Sequence, residues 1–346
     1  MTIKKLNLVL LTAVILSLCS CNDKQNTGTK SSNEAVTRDV FAMDTYMNLK
    51  VYSDDAETVL NEAEERIYQL EKELSVTSEN SDVWILDHNK KADISDDTAR
   101  IIRKAVDIGS RTNGALDITL YPLVREWGFT TGEYSIPDTK RVAELLKNVG
   151  YERIKLDGNK AELPQNAEID LGALAKGYTG DEVIDIMKSH GVSSAIVSLG
   201  GNVQALGSKP DGSSWKVAVR DPFSPEKDMC VVEISGKAVI TSGNYERFFT
   251  GDDGRNYWHI LDPKDGFPAD NGIVSATVIG DNGLECDALS TAFFVMGLDK
   301  TMEYLADNPG NDVILVTDDR KIYYSSGLSD KFTNISDMPA EVTAID

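Results

Sequence analysis

Histidine and cysteine are scarce in this 346-residue chain, with three of the first (His88, His190, His259) and four of the second. No pair of either stands at zinc-ligand spacing, which argues against a zinc enzyme. Two cysteines, Cys19 and Cys21, lie near the start, leaving Cys230 and Cys286, for which two buried thiols are the expected state. Basic residues are outnumbered, 35 Lys and Arg against 56 Asp and Glu, a formal net charge of −21. That balance excludes nucleic acid as a partner and disfavours anionic lipid against the folded domain. A phosphate-bearing ligand then needs a locally positive site, most simply a metal ion. There is no dinucleotide fingerprint and no regular repeat. Around Gly172 and Gly177, Lys176 precedes the second glycine and no Ser or Thr follows it directly, so the nucleotidase phosphate loop is absent too.

What is present is an ordinary globular composition, 41% hydrophobic, enough for one large core or two modest ones. It follows a distinctive leader. Lys4 and Lys5 precede LNLVLLTAVILSL, an apolar run too short for a comfortable membrane span and shaped like a signal peptide. Leu18-Cys19-Ser20-Cys21 resembles a bacterial lipobox, with Cys21 as the residue that is diacylated with palmitate-type chains; a plain secretory signal is the alternative. The expected organisation is a signal peptide over 1–20, a lipidated cysteine and flexible tether over 21–38, and a catalytic domain over 39–346. The expected location is the bacterial cell envelope, anchored by lipid on the extracytoplasmic, periplasmic side.

Within the domain, VFAMDTYMNLKVYS reads as a strand pair interrupted near Asp44. Asp55 to Leu74 is an amphipathic helix with Leu60, Ala63, Ile67, Leu70 and Leu74 inward. Ser95 caps a second helix, and Pro137-Asp138 starts a third. IKLDGNKAEL is a hairpin turning at Asp157-Gly158. After Asn202 the chain is mostly strands, WKVAVRDP, MCVVEIS, AVITSG, ERFFT, NYWHILDP and IVSATVIG. A helix from about Glu285 carries Asp287 and Thr291 on one face, and DVILVTD and KIYYSS close the fold. The fold class is α+β, with mixed or antiparallel sheets.

The organising stretch is IDLGALAKGYTGDEVIDIMKSHGVSSAIVSLGGN, residues 169–202, read as strand, glycine turn, helix and strand. Val183, Ile184 and Met187 point inward, while Asp181, Glu182, Asp185 and Lys188 face water. Asp170, Lys176 and the first-turn N–H groups together suit a phosphate and its metal. An ordinary acidic first turn explains the same residues.

Taken together, GALDITLYPL, IDLGALAKGY, SLGGNV, WKVAVRDP, TSGNYERFF, HILDPKDGFPA and CDALSTAFFVMG resemble the ApbE-type flavin transferases, in the family's order and over nearly the whole chain after the tether. The resemblance implies a T-fold-like α+β fold of two interleaved lobes with FAD in the cleft. It further implies Mg²⁺-dependent transfer of FMN from FAD to a protein threonine. The metal ligands it implies are the Ala173 carbonyl and the side chains of Asp287 and Thr291, an all-oxygen set suited to a hard cation. Met43, Ala115, Leu116, Asp117, Asp170, Lys176 and Ile260 become FAD-pocket residues. Asp287 and His259 become the catalytic pair, with His259 accepting the threonine proton. Implied acceptors are flavoproteins of membrane redox pumps or extracytoplasmic electron transfer. Two departures stand out: Asp44 replaces the glycine of the family's Met-Gly-Thr, and Thr77 stands where many members place an aromatic, with Trp84 as a candidate substitute. The rival readings are a Mg²⁺-dependent FAD pyrophosphatase, a non-enzymatic flavin-binding lipoprotein and, from SSWK alone, a serine hydrolase lacking its companion elements.

Overall fold

Strong β-formers in alternation produce the backbone of the fold, a nine-stranded sheet. A computed structural model describes residues 34–343; the leader, Cys21 and most of the tether lie outside the described residues. In spatial order the strands are Val36–Ala42, Thr45–Val51, Ala195–Leu199, Asn202–Leu206, Ala238–Gly243, Ile273–Gly280, Asp312–Thr317, Ile322–Ser325 and Ala340–Thr343. Neighbours pair antiparallel except the last two, which are parallel. The first strand thus begins at Val36, slightly before the expected end of the tether, and Arg38 within it already pairs with Glu57 and Glu64.

Among the described residues eight helices accompany the strands: α1 (Ala56–Leu74), α2 (Asp82–Asn89), α3 (Asp96–Arg111), α4 (Tyr121–Glu126), α5 (Thr139–Leu146), α6 (Gly172–Ser189), α7 (Gly283–Met296) and α8 (Leu298–Asp307). The inward residues read from the α1 pattern, Leu60, Ala63, Ile67, Leu70 and Leu74, are all buried. Ser95 and Asp138 cap α3 and α5, accepting from Thr98 N and Lys140 N. Side-chain alternation divides the central strands between two layers. Val313 and Leu315 pack with α6 and α7 residues, whereas Ile314 and Val316 face a three-stranded sheet of Trp215–Asp221, Ser224–Ile234 and Phe332–Asn334. A separate aromatic cluster forms around Trp127, Phe129, Val142 and Leu261.

Several expectations are corrected. Residues 167–171 are not a strand; the segment is an irregular loop held by Ile169 N donating to Asp87 Oδ1 and Asp170 N to the Ile118 carbonyl. Apolar content marked it as buried, but no strand pairs with it. KIYYSS does not close the fold, because Phe332–Asn334 and Ala340–Thr343 follow. The helices α2 and α8 were not expected, α2 being too short and α8 too polar for a clear period. Cys230 and Cys286 are buried free thiols, as expected.

Candidate functional site

The site is built where α6 crosses α7, and glycine makes the crossing possible. A Cβ on Gly177 would stand 2.2 Å from the Gly283 carbonyl oxygen, and one on Gly283 would stand 2.6 Å from the Gly177 carbonyl oxygen. With hydrogen in both places the backbones touch. The approach lets Gly177 N donate to Asp287 Oδ2 at 2.8 Å. In a regular helix that N–H turns back to the carbonyl four residues earlier, here Ala173. Gln204, 4% exposed, fills the wedge beneath the crossing and donates Nε2 to the Gly177 carbonyl at 2.8 Å.

Asp181 contradicts its expected solvent-facing role. It accepts Gly283 N at 2.7 Å, Leu284 N at 2.9 Å and Asn282 Nδ2 at 3.0 Å, so a carboxylate on α6 caps α7. Burial pushes its carboxyl up to about 6, against the Leu284 and Gly283 N–H groups. Glu182 also misses open water, pairing with Arg66 at 2.7 Å. The two helices are therefore bolted together by one cap, one amide and two glycines.

A cleft of about 960 Å³ opens over this crossing. Every site residue the resemblance implied lines it: Met43, Ala115, Leu116, Asp117, Asp170, Ala173, Lys176, His259, Ile260, Asp287 and Thr291. Asp287 is buried, and desolvation raises its pKa against the Lys176 charge and the Gly177 N–H. Thr291, one turn on, has its hydroxyl 3.1 Å from Ser242 Oγ. With the Ala173 carbonyl these groups offer carboxylate, hydroxyl and carbonyl oxygen, donors that fit magnesium and do not fit a soft metal. Among the described residues no three His, Cys, Asp or Glu side chains gather as a metal group, so such an ion would take its remaining ligands from substrate and water.

His259 donates through Nδ1 to the Arg247 carbonyl, 3.1 Å away; a carbonyl only accepts, so Nδ1 carries the proton and Nε2 keeps a lone pair. Burial first, then the Arg247 and Lys176 charges, lowers its pKa to about 4. The imidazole is neutral at physiological pH. Asp170 Oδ1 accepts Gly172 N at 2.8 Å, and burial raises its carboxyl. Asp117 is busier than expected: its oxygens accept Thr119 N, Thr119 Oγ1 and Tyr151 N, so it organises the loop at least as much as it faces a ligand.

Met43 and Asp44 occupy the left-handed region, φ 52° and 56°, at the tip of the first hairpin. Met43 N donates to Glu71 Oε1 at 2.6 Å, which holds the tip against α1. The backbone at Asp44 thus keeps the conformation that glycine favours. Thr77 lines the cleft, whereas Trp84 stacks on His88 at 3.6 Å and is not among the lining residues, so it does not replace the missing aromatic.

Arg220, Glu246, Arg247 and Asn202 also line the cleft and were not singled out from the sequence. Among the described residues the side chains of Lys176, Arg220 and Arg247 form no ion pair. The lining nevertheless holds six carboxylates (Asp44, Glu71, Asp117, Asp170, Glu246, Asp287) against four cations (Lys72, Lys176, Arg220, Arg247). A pyrophosphate would thus be balanced by these few cations and a bound metal, not by the cleft as a whole.

The model of the ApbE family matches residues 43–315. A relative named FAD:protein FMN transferase in Klebsiella pneumoniae (strain 342) is 31% identical over 303 residues, covering 86% of this chain and 93% of its own. One of the same name in Treponema pallidum is 28% identical over 345 residues, covering 93% of each. Among solved structures, the ApbE protein of Thermotoga maritima superposes with a TM-score of 0.80 at 30% identity, covering 85% of this chain and 98% of its own. This chain belongs to the ApbE family.

Proposed function

We propose that the chain is an FAD:protein FMN transferase, moving FMN from FAD to a threonine hydroxyl of a target flavoprotein with release of AMP. The observation that carries this reading is the convergence of Ala173, Asp287 and Thr291 with Lys176 and His259 in one cleft large enough for a dinucleotide. The relatives' shared name supplies the substrate pair.

In the reaction the threonine oxygen bonds to the FMN phosphorus, the pyrophosphate P–O bond breaks, and AMP leaves. His259 Nε2, free and unprotonated, takes the hydroxyl proton. Lys176 and Arg247 would hold phosphate oxygens, and Asp287, Thr291 and the Ala173 carbonyl would hold magnesium. When bound, that ion neutralises charge building on the pyrophosphate. Apolar Leu116 and Ile260 line the cleft and offer a wall on which the flavin ring would lie. The acceptors are flavoproteins of membrane redox pumps or extracytoplasmic electron transfer, reached by a Cys21 lipid anchor in the cell envelope.

One observation keeps hydrolysis as a second reading: Thr77, small and polar, lines the cleft where an aromatic would cover the flavin. Incubating the protein with FAD, Mg²⁺ and a threonine-bearing acceptor flavoprotein separates the cases. An FMN mass increment on the acceptor supports transfer; free FMN without it makes the protein a pyrophosphatase; intact FAD bound stoichiometrically makes it a binder.

A further inference from the structure

Thr291 is the one neutral side chain in the proposed metal set, and a hydroxyl meets a cation only with a lone pair turned toward it and its proton turned away. Three contacts, within α7 and between it and the strand Ala238–Gly243, decide where that proton goes. Ser290 Oγ lies 2.8 Å from the Asp287 carbonyl oxygen, which only accepts, so Ser290 donates there. Its single proton is then committed, and the 2.8 Å contact between Ser290 Oγ and Ser242 Oγ is made with the Ser242 proton. Ser242 has nothing left to donate across the 3.1 Å to Thr291 Oγ1, so Thr291 donates to Ser242. Each hydroxyl proton is placed by the next group along, and the relay ends on the backbone of Asp287 itself.

Ser242 and Thr291 line the cleft, whereas Ser290 is fully buried, so the relay is anchored inside the fold and opens toward the site. Among the described residues no group donates to Thr291 Oγ1, and with its proton on Ser242 the oxygen keeps its lone pairs for another partner. We propose that Ser242 is a positioning residue for the metal site: it takes the Thr291 proton and so leaves the Thr291 oxygen free to join Asp287 and the Ala173 carbonyl around a divalent cation. This rests on the metal reading above. Without Ser242 the Thr291 proton rotates freely and is drawn to the Asp287 carboxylate, one helical turn away, which spoils both ligands at once. Partners that orient a ligand in this way carry about ten- to a hundredfold of the metal affinity.

The test titrates Mn²⁺, a paramagnetic stand-in for magnesium, into the full chain loaded with FAD before any acceptor is added, reading free Mn²⁺ by electron paramagnetic resonance. Ser242→Ala should weaken Mn²⁺ binding about tenfold or more. Its FAD affinity without metal, read by flavin fluorescence, should be unchanged, and its Tm should stay near wild type because Ser290 still donates to the Asp287 carbonyl. Ser242→Cys is the second variant: it keeps the volume, but its sulfur is a weak acceptor, so the same loss of Mn²⁺ affinity is expected. Mn²⁺ affinity equal to wild type in either folded variant overturns the proposal, whatever happens to Tm, since Ser242 is then only a tie between strand and helix. A fall in FAD affinity without metal also overturns it, because Ser242 would then touch the substrate directly. If the wild-type chain with FAD binds no Mn²⁺ at all, the metal reading itself has failed, which is a distinguishable result.

Discussion

Gly177→Ala tests whether the helix crossing creates the site. The new Cβ would meet the Gly283 carbonyl oxygen at 2.2 Å and Asp287 Cβ at 2.6 Å, and ordinary contact begins at 3.4 Å. The carbonyl must retreat by about 1.2 Å, and both neighbours ride on α7, so the helices separate as bodies. Overpacking of this kind costs about 1–3 kcal/mol. Stretching the Gly177 N–H bond to a buried carboxylate adds about 1–3 kcal/mol. Alanine's better helix propensity returns about 1 kcal/mol. The net loss is about 1–5 kcal/mol, a fall in Tm of roughly 2–10 °C by calorimetry for a domain of this size. Activity should fall further than stability. A displacement near 1 Å between Ala173 and Asp287 costs on the order of a hundredfold in rate, measured as FMN transfer at saturating FAD. Gly191→Ala is the control: unlike Gly177 it sits at positive φ, 74°, but nothing lies within 4 Å of its Cβ, so it should lose modest stability and no activity. A Gly177→Ala protein with wild-type Tm and rate would refute the reasoning.

His259 binds its proton far less readily folded than unfolded, about 4 against 6.5. Between those values the unfolded chain takes up a proton that the folded one refuses, so stability falls as pH drops from 6.5 toward 4 and is level above. Replacing it, His259→Gln should flatten that part of the Tm profile and slow transfer about a hundredfold or more; identical slopes in both proteins would show that another group sets the window. Asp44→Gly restores the residue that suits φ 56° and should leave stability equal or up to about 1 kcal/mol higher, with FAD affinity unchanged; a clear loss in Tm would mean the Asp44 side chain makes a contact that matters. Asp287→Asn should abolish Mg²⁺-dependent transfer yet leave the ligand-free protein as stable as wild type or more so at pH 7, because desolvation raises the folded pKa of Asp287 and makes its charge unfavourable there. That advantage should fade on acidification as the wild-type carboxyl is protonated; a destabilised variant at pH 7 would mean the Gly177 N–H bond outweighs desolvation.

Local periodicity made most elements legible. The α1 stripe, the Ser95 and Asp138 caps and the alternating strands WKVAVRDP and DVILVTD all follow from short-range chemistry. Residues 167–171 did not, because burial by loops and burial by a sheet leave the same apolar trace, and only the distant Asp87 and Ile118 decide between them. Asp181 shows the same limit for a charge. On its own helix it falls among polar neighbours, and nothing within α6 announces that the start of α7 arrives there. The cleft residues themselves came through family likeness, since spacing alone does not join Ala173 to Asp287 across more than a hundred positions. Arg247 and Arg220 gave no signal because a strand-end arginine is ordinary until the cleft shows that no carboxylate pairs with it.

On the proposed reading, the crossing brings Asp287 together with neutral oxygens, and Lys176, Arg220 and Arg247 offset the other acids of the cleft, Glu246 among them. In that proposal a buried Asp287, steadied by the Gly177 N–H, supplemented by neutral oxygens from Thr291 and Ala173 and flanked by Lys176, would hold the ion and leave coordination positions for an anionic substrate. Such a site depends on position more than on charge. Its accuracy comes from residues that touch no substrate: Gly177 and Gly283, which permit the contact, Gln204, which fills it, and Asp181, which caps it. A substitution at any of the four should therefore act on metal and substrate together.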